Sequence, residues 1–355
     1  MVEDEEGFFY PLVDESKCID CGQCEKVCPM IHPPKPHREL SVFTYQSPDL
    51  SVLENSSSGA LFSELAHNVI SKQGAVFGAR FNNKWEVEHS CAYTDDEVEA
   101  IRTSKYVQSQ LNDIFFEVKN ELDSGRQVLF CGTPCQVAAL NRFIKHNRNS
   151  LILIDFVCHG VPSPLVWKLS LSSLSGGKNI KKINFRSKEK GWKSYHLEVT
   201  TDDNQRKLYA IDDTAYTKAF SANITLRPSC YKCKMRGCHR NSDITMADFW
   251  GMEELGIPDN DKGTSLAIAQ TEKGLALLKT ARANETNLTV DEATQHNRSY
   301  KEQTPVTALR SAFFRHLAND QSKAIDWLWH YTHLTPSTRR YYKIRTFINK
   351  FLGII

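Results

Sequence analysis

Residues 127–135 read Gln127-Val128-Leu129-Phe130-Cys131-Gly132-Thr133-Pro134-Cys135, and they decide the fold. A short apolar run ends at a glycine, a turn follows, and apolar residues then recur at Val137, Ala138, Ala139, Leu140, Phe143 and Ile144. The change from a continuous run to helical spacing predicts strand, turn, helix. The same order returns at Leu151-Ile152-Leu153-Ile154-Asp155-Phe156-Val157, which ends in Cys158-His159-Gly160-Val161-Pro162 before a helical pattern from Leu165 to Leu174. Two successive units of this kind predict an α/β fold with a parallel-sheet core.

Upstream, the polar loop Asn55-Ser56-Ser57-Ser58-Gly59 feeds a helix from Ala60 to Ile70, and Ala75-Val76-Phe77-Gly78-Ala79 reads as a buried strand. Downstream, Ile183-Asn184-Phe185, Tyr195 to Val199 and Lys207 to Ile211 read as short antiparallel strands inserted in the sheet domain. Residues 1–40 carry little regular pattern beyond the cysteine run Cys18, Cys21, Cys24 and Cys28 before Pro29, and they read as a small ferredoxin-like module that ends near the stiff Pro33-Pro34-Lys35-Pro36 segment. The expected division is 1–40, then 41–127 and 128–290 as two parts of one α/β domain, then a helical, basic tail over 291–355.

A chain of 355 residues is long enough to bury a sizeable core. Its net charge of +2 is too small to imply a nucleic-acid partner. The first residues, Met1-Val2-Glu3-Asp4-Glu5-Glu6, are acidic where a secretory signal is basic, and no apolar stretch has the length of a membrane span. A cytoplasmic protein is therefore expected. The 11 cysteines fall mostly in two groups with metal-ligand spacing rather than in a disulfide framework.

The first group is Cys18, Cys21, Cys24 and Cys28, with Pro29 after it: C-x2-C-x2-C-x3-C-P. Two intervening residues let successive thiolates face one concave loop, where backbone N–H groups stabilise an anionic 4Fe–4S cluster. A zinc knuckle from the same thiols ranks well behind, because zinc ribbons split their ligands into separated pairs. In two-cluster ferredoxins the cysteine before proline serves the other cluster. Either Cys28 closes this cluster locally, or a second run has been lost upstream of Met1.

The second group is dispersed: Cys131 or Cys135, Cys158, and the pair Cys230 and Cys233, with Cys238 and His239 beyond. Neighbouring parallel βα units bring Cys135 and Cys158 together beyond the carboxyl ends of their strands, and Cys135 at a helix start is favoured as a thiolate. A structural zinc at Cys230, Cys233, Cys238 and His239, or buried thiols without chemical role, weigh about as much on spacing alone.

The chain resembles the coenzyme F420 hydrogenase/dehydrogenase beta-subunit family over roughly residues 50 to 280. The resemblance rests on Ser57-Ser58-Gly59-Ala60, Ser104-Lys105-Tyr106, Gly132-Thr133-Pro134-Cys135-Gln136, Cys158-His159-Gly160, Ser229-Cys230-Tyr231-Lys232-Cys233, and Ser242-Asp243-Ile244-Thr245 leading to Asp248-Phe249-Trp250-Gly251. It implies a second 4Fe–4S cluster on Cys135, Cys158, Cys230 and Cys233, leaving Cys91, Cys131 and Cys238 as non-ligands. It also implies FAD, for which Ser57, Ser58, Gly59, Lys105, Tyr106 and Asp243 are the candidate contacts. A Ser/Gly loop entering a helix offers N–H donors to a pyrophosphate, although no G-x-G-x-x-G follows a strand here.

The function expected from these features is an iron–sulfur flavoprotein oxidoreductase passing electrons between 4Fe–4S clusters and FAD. Its partners would be a redox protein or subunit and coenzyme F420 or another small acceptor. The competing readings are an electron-transfer subunit without flavin and a zinc-stabilised binding protein. The basic stretch Lys181, Lys182, Arg186, Lys188, Lys190, Trp192 and Lys193 suits an anionic cofactor tail, with a solvated hairpin as the default. From Arg339 to Leu352 basic and apolar residues alternate; a membrane-surface helix is conceivable there, with docking on its own domain as the default. His159 and His239 border cysteines and are candidates for tuning a cluster.

Overall fold

The computed structural model describes residues 1–352. The chain starts with a hairpin of β1 (Val2–Glu3) and β2 (Phe9–Tyr10), followed by the short helix α1 (Gln23–Val27). Strand β3 (Ser41–Tyr45), helices α2 (Leu50–Glu54) and α3 (Leu61–Ile70), strands β4 (Ala75–Phe81) and β5 (Val87–Ala92), and helices α4 (Asp95–Arg102) and α5 (Ile114–Asp123) come next. The two units that decide the fold are β6 (Val128–Gly132) with α6 (Pro134–Phe143), and β7 (Leu151–Phe156) with α7 (Pro164–Ser175).

After α7 come β8 (Ile180–Ser187), β9 (His196–Thr201), β10 (Arg206–Tyr209) and α8 (Ala215–Ser221), and the chain then returns to β11 (Ile244–Asp248) and β12 (Ser265–Ala269). Helix α9 (Glu272–Thr280), strand β13 (Asn284–Glu285), helix α10 (Val290–Ala293) and three further helices, α11 (Ala308–Asn319), α12 (Ala324–Thr332) and α13 (Pro336–Phe351), complete the described residues.

Eight strands make the main sheet in the order β13-β3-β12-β11-β7-β6-β4-β5. Its centre is parallel, β11 to β7 to β6 to β4, as expected. Antiparallel strands finish both edges: β5 folds back on β4, and β12, β3 and β13 follow β11. The strands β8, β9 and β10 stay out of this sheet and form a separate three-stranded one. They are an insertion between β7 and β11, with their own apolar cluster to cover.

Alternation along the central strands sorts the core into two layers. Val76, Leu129, Ile152 and Ile154 face α3, α4 and α9, packing with Leu61, Leu65, Val98 and Leu278. Phe77, Val128, Phe130, Leu151 and Leu153 face α5 and α6, packing with Val118, Leu122, Val137 and Leu140. A one-residue slip of any of these strands would exchange the layers, so burial on both faces fixes the register. A third cluster joins α7, α8, α11, α12 and the three-stranded sheet around Trp167, Phe185, Tyr216, Phe313 and Leu328.

Phe8 is fully buried in that third cluster, and Arg310 pairs with Glu6. The first ten residues are thereby fastened to the body of the protein. Residues 11–28, which hold the cysteine run, have no buried side chain.

Candidate functional site

The carboxyl ends of β6, β7 and β11 open into a cavity of about 820 Å³, the place where parallel α/β sheets bind ligands. Its walls come from the Ser56–Ser58 loop, the start of α3, the loop through Lys105 and Tyr106, residues 156–162 after β7, and Phe185 and Arg186 of the inserted sheet. Its size lies within the range of about 300–1,000 Å³ usual for small-molecule and cofactor sites.

The Ser57–Ala60 loop is held from several sides. Ser57 Oγ accepts from the Ser104 N–H (2.9 Å), Ser58 Oγ donates to the Thr264 carbonyl (2.8 Å), and Lys188 Nζ donates to the Ser58 carbonyl (2.9 Å). Trp192 Nε1 donates to the Ser57 carbonyl (3.2 Å). A Cβ at Gly59 would stand 2.0 Å from the Tyr45 carbonyl oxygen, so only glycine lets this loop cross β3. Ala60 caps α3 in the left-handed region (φ 71°) with no side-chain hydrogen bond to the helix. The first N–H groups of α3 therefore begin at the cavity wall with no cap from the chain.

The lining is cationic. Arg186 is 4% exposed; one terminal nitrogen donates to Asp248 (2.7 Å) and to the Tyr106 hydroxyl (3.2 Å), while its Nε and second terminal nitrogen have no partner. Burial opposes the charge on Arg186, but Asp248 overrides it and the pKa is raised. Arg102 Nε, His89 Nδ1 and Ser63 Oγ, all belonging to lining residues, are likewise buried without partners. Burial also lowers the Lys105 amine to about 7, with the Cys131 thiol acting in the other direction; its Nζ donates to the Ala100 carbonyl (2.7 Å). Unpartnered buried polar atoms cost stability unless a ligand satisfies them; the Arg186 and Arg102 donors fit an anion, whereas His89, kept neutral by burial and donating through Nε2 to the Cys131 carbonyl, offers Nδ1 as an acceptor.

Cys135, Cys158, Cys230 and Cys233 come together beside this cavity, and Cys158 lines it. Pro134 opens α6, and Gln136 Oε1 accepts from the Thr133 N–H (2.9 Å), which places Cys135 in the first helical turn. Cys158 follows β7 by two residues, Cys230 lies in a 3-10 turn over Pro228–Lys232, and the Val161 N–H donates to Cys230 Sγ (3.5 Å). A Cβ on Gly160 would stand 3.3 Å from Cys230 Cβ, and Gly160 has a φ of +149°, so the loop after β7 needs glycine to pass the second cysteine pair.

Burial raises the Cys158 thiol, and Cys230, Cys135 and Cys233 raise it further by repulsion. Cys230 is pushed up to about 11, again by burial first and then by its cysteine neighbours. Cys135 stays accessible, yet protein surrounds it closely enough for desolvation to raise its thiol as well. Four crowded thiols, of which Cys135, Cys158 and Cys230 resist ionising alone, are suited to an iron cluster, which takes them as thiolates and releases their protons. Among the described residues no three or more His, Cys, Asp or Glu side chains converge to hold one metal ion. In a cubane each thiolate binds its own iron, so neighbouring but non-convergent sulfurs fit it.

Cys131 stands apart from the four. It lines the cavity at the end of β6, and its thiol, raised to about 12 by burial, responds to Asp155 and Lys105 rather than to another cysteine. Cys238 lies beside His239 (Sγ to Nδ1, 3.8 Å), and its carbonyl accepts from the His37 N–H (3.2 Å). His159 is held by Asn223 (2.6 Å) and Ser299 (3.3 Å) at the cavity wall.

The N-terminal run lies differently: Cys18, Cys21 and Cys24 are exposed and Cys28 is half-buried. Helix α1, which carries Cys24, packs on α6, which carries Cys135. Lys234, next to Cys233, donates to the Met30 carbonyl (2.8 Å). The two cysteine groups are therefore neighbours in space.

Of the residues expected at a cofactor site, Ser57, Ser58, Lys105 and Tyr106 line the cavity, and Gly59 shapes the loop behind it. Asp243 is a correction. It precedes β11, at the end of the strand away from the cavity, and its carboxylate accepts from the Leu153 N–H (2.8 Å) and the Thr271 hydroxyl (2.7 Å) and pairs with Lys273. The aspartate at the cavity end of that strand is Asp248. The basic stretch divides: Arg186 enters the cavity and Lys188 fastens its loop, whereas Lys181 and Lys182 are exposed and Lys193 pairs with Glu253 and Asp259. Arg102 and His89 escape sequence reasoning, because each is a single polar residue without a spacing signal, and Asp248 stands in a family motif without being assigned to the site.

Residues 125–295 match the family described as coenzyme F420 hydrogenase/dehydrogenase, C terminus of the beta subunit, and residues 10–33 match a 4Fe-4S binding domain. Residues 125–295 are thus similar to the C-terminal domain of that beta-subunit family, within the stretch over which the resemblance was drawn, and a segment similar to a 4Fe–4S binding domain stands in front of them. A chain of the F420-reducing [NiFe] hydrogenase complex from Methanosarcina barkeri, in a xenon-derivatised crystal, superposes with a TM-score of 0.54 at 13% identity. The superposition covers 76% of this chain and 91% of that one, a likeness of fold. No curated protein matches the sequence.

Proposed function

We propose that this chain is an iron–sulfur flavoprotein that passes electrons between 4Fe–4S clusters and FAD, with coenzyme F420 or a related small acceptor as its two-electron partner. The carrying observation is the order of the parts: α1 with Cys24 packs on α6 with Cys135, and Cys158 of the second thiol group lines the cationic cavity. In this reading Cys18, Cys21, Cys24 and Cys28 hold one cluster and Cys135, Cys158, Cys230 and Cys233 hold the other.

FAD in the cavity would supply exchange of one or two electrons. For it, Arg186, Arg102 and the N–H groups opening α3 provide charge and donors for a diphosphate, and Tyr106, stacked on Phe220 (5.1 Å between centroids), provides a flat apolar wall. Lys105 holds a proton near neutrality at the same wall. Exposed Leu12, Val13, Ile19 and Ile31 surround the first cysteine group and suit the docking of a redox protein or partner subunit. The reading places the chain in the cytoplasm; among the described residues no helix is long and apolar enough to cross a membrane.

The test is anaerobic addition of reduced F420 to the purified chain while the visible spectrum is recorded. Loss of flavin absorbance followed by cluster absorbance is expected. A chain that carries flavin and clusters but shows no change excludes F420 as partner, and one that carries clusters without flavin is an electron-transfer subunit only.

A further inference from the structure

Helix α13 is mounted the wrong way round for a helix that merely completes the protein's own core. Its half-buried positions are Thr338, Tyr342, Arg345, Thr346 and Asn349, a mostly polar stripe turned towards the body. Thr346 Oγ1 accepts from the Ala308 N–H (2.9 Å) at the start of α11, and Tyr342 meets Tyr331 of α12 edge-on. The apolar residues Tyr341, Ile344, Phe347, Ile348 and Phe351, with Leu352 just beyond, are all exposed, Phe351 at 84% and Phe347 at 72%. At 100° per residue these six fall on one arc of the helix, separate from the docked stripe and adjoining it at one edge.

Charge identifies what covers that arc. Between Thr335 and Leu352 there are five basic residues, Arg339, Arg340, Lys343, Arg345 and Lys350, and no aspartate or glutamate. At the same spacing Arg339, Lys343 and Lys350 fall along one flank of the apolar arc, Arg340 falls inside it on the side of Phe347 and Phe351, and the half-buried Arg345 stands at the other border, between the arc and the docked stripe. An apolar face bordered on both sides by cations, on a helix fixed to a protein by its remaining face, has the form of a helix lying in a membrane interface. There the rings enter the acyl boundary and the cations meet headgroup phosphates. A protein partner would need an acidic groove around an apolar floor along the whole helix, whereas an anionic leaflet supplies both layers without further design.

We infer that α13 is a peripheral membrane-docking helix that seats the protein on anionic lipid, apolar arc inward. This inference does not depend on the redox reading, since α13 lies outside the cysteine groups and the cavity.

The test uses the full chain in sedimentation with vesicles of phosphatidylcholine, with and without about 30% phosphatidylglycerol. The unaltered chain is expected to pellet with the anionic vesicles at least about tenfold more than with the neutral ones, and to be released by high salt. The triple variant Ile344→Asp, Phe347→Asp, Phe351→Asp is expected to stay in the supernatant. A second variant with Arg339, Arg340, Lys343 and Lys350 changed to Ser is expected to lose the preference for anionic vesicles. Because these side chains are exposed, circular dichroism and gel-filtration volume should match the unaltered chain in both variants. Equal sedimentation with the two vesicle types, or unchanged binding by the triple variant, would overturn the inference. So would a lipid-free dimer that the triple variant converts to monomer, which would assign the arc to a second copy of the chain.

Discussion

The two cysteine groups are built by opposite means. Cys18, Cys21, Cys24 and Cys28 are close in sequence and lie on an exposed loop and one short helix, which packs on α6. Cys135, Cys158, Cys230 and Cys233 come from three separated stretches and meet only because β6 and β7 are parallel neighbours and the inserted sheet returns the chain beside them. A local run can wind around a cluster with little help from the fold; a dispersed group exists only when the fold does. The first should therefore respond to its own residues and to solvent, and the second to the integrity of the sheet.

The largest expected effect comes from removing one thiol of each group. A chain with both cubanes holds about eight irons. Cys158→Ser should lose about half of them and perturb the flavin spectrum, because Cys158 lines the cavity, while Cys21→Ser should lose about half and leave the flavin spectrum unchanged. Iron analysis with visible spectroscopy measures both, and identical spectra for the two variants would break the distinction.

Next is the buried pair beneath the cavity end of the sheet. Arg240 donates to Asp155 at 2.9 Å, with both side chains almost wholly buried and Asp155 also bonded to Thr245. Arg240→Leu strands the Asp155 carboxylate between β7 and β11 and is expected to cost about 3–5 kcal/mol in urea unfolding. The second cluster should fall out of this variant at lower urea than the N-terminal one. Simultaneous loss of both would contradict the claim that the first run holds its cluster locally.

Two smaller effects concern the cavity. Arg186→Gln removes a buried cation with two unpartnered nitrogens and should weaken binding of an anionic cofactor by about 10- to 100-fold, read by flavin fluorescence on dilution. Lys105 titrates near 7 because burial disfavours its charge. An anion in the cavity favours the charged amine, so binding takes up a proton above that pH and affinity should decline as pH rises beyond about 7. The dependence should flatten in Lys105→Met, and a dependence that persists would assign the titration to another group.

What is legible in the sequence follows the same division. The central strands β4, β6 and β7 are readable because burial on both faces demands continuous apolar runs. Strand β5, Val87-Glu88-His89-Ser90-Cys91-Ala92, and edge strand β13, Asn284-Glu285, carry no such run, because an edge needs fewer apolar residues. The inserted strands are legible in nearly the right places, but pairing is long-range, and nothing local tells them to leave the main sheet.

In the site, Ser57, Ser58, Lys105 and Tyr106 follow from family motifs and do line one cavity. Asp243 follows by the same route, and strand direction sends it to the other end of β11. Arg186 is visible only as one cation in a basic stretch, because the fold, not the spacing, brings it from the inserted sheet to the cavity.

The most direct test of the central claim is metal and flavin analysis of the full chain purified without oxygen. Two clusters beside one flavin predict about eight irons, no stoichiometric zinc and one releasable FAD per chain, with broad visible absorption. A colourless protein holding zinc in place of iron would contradict the account.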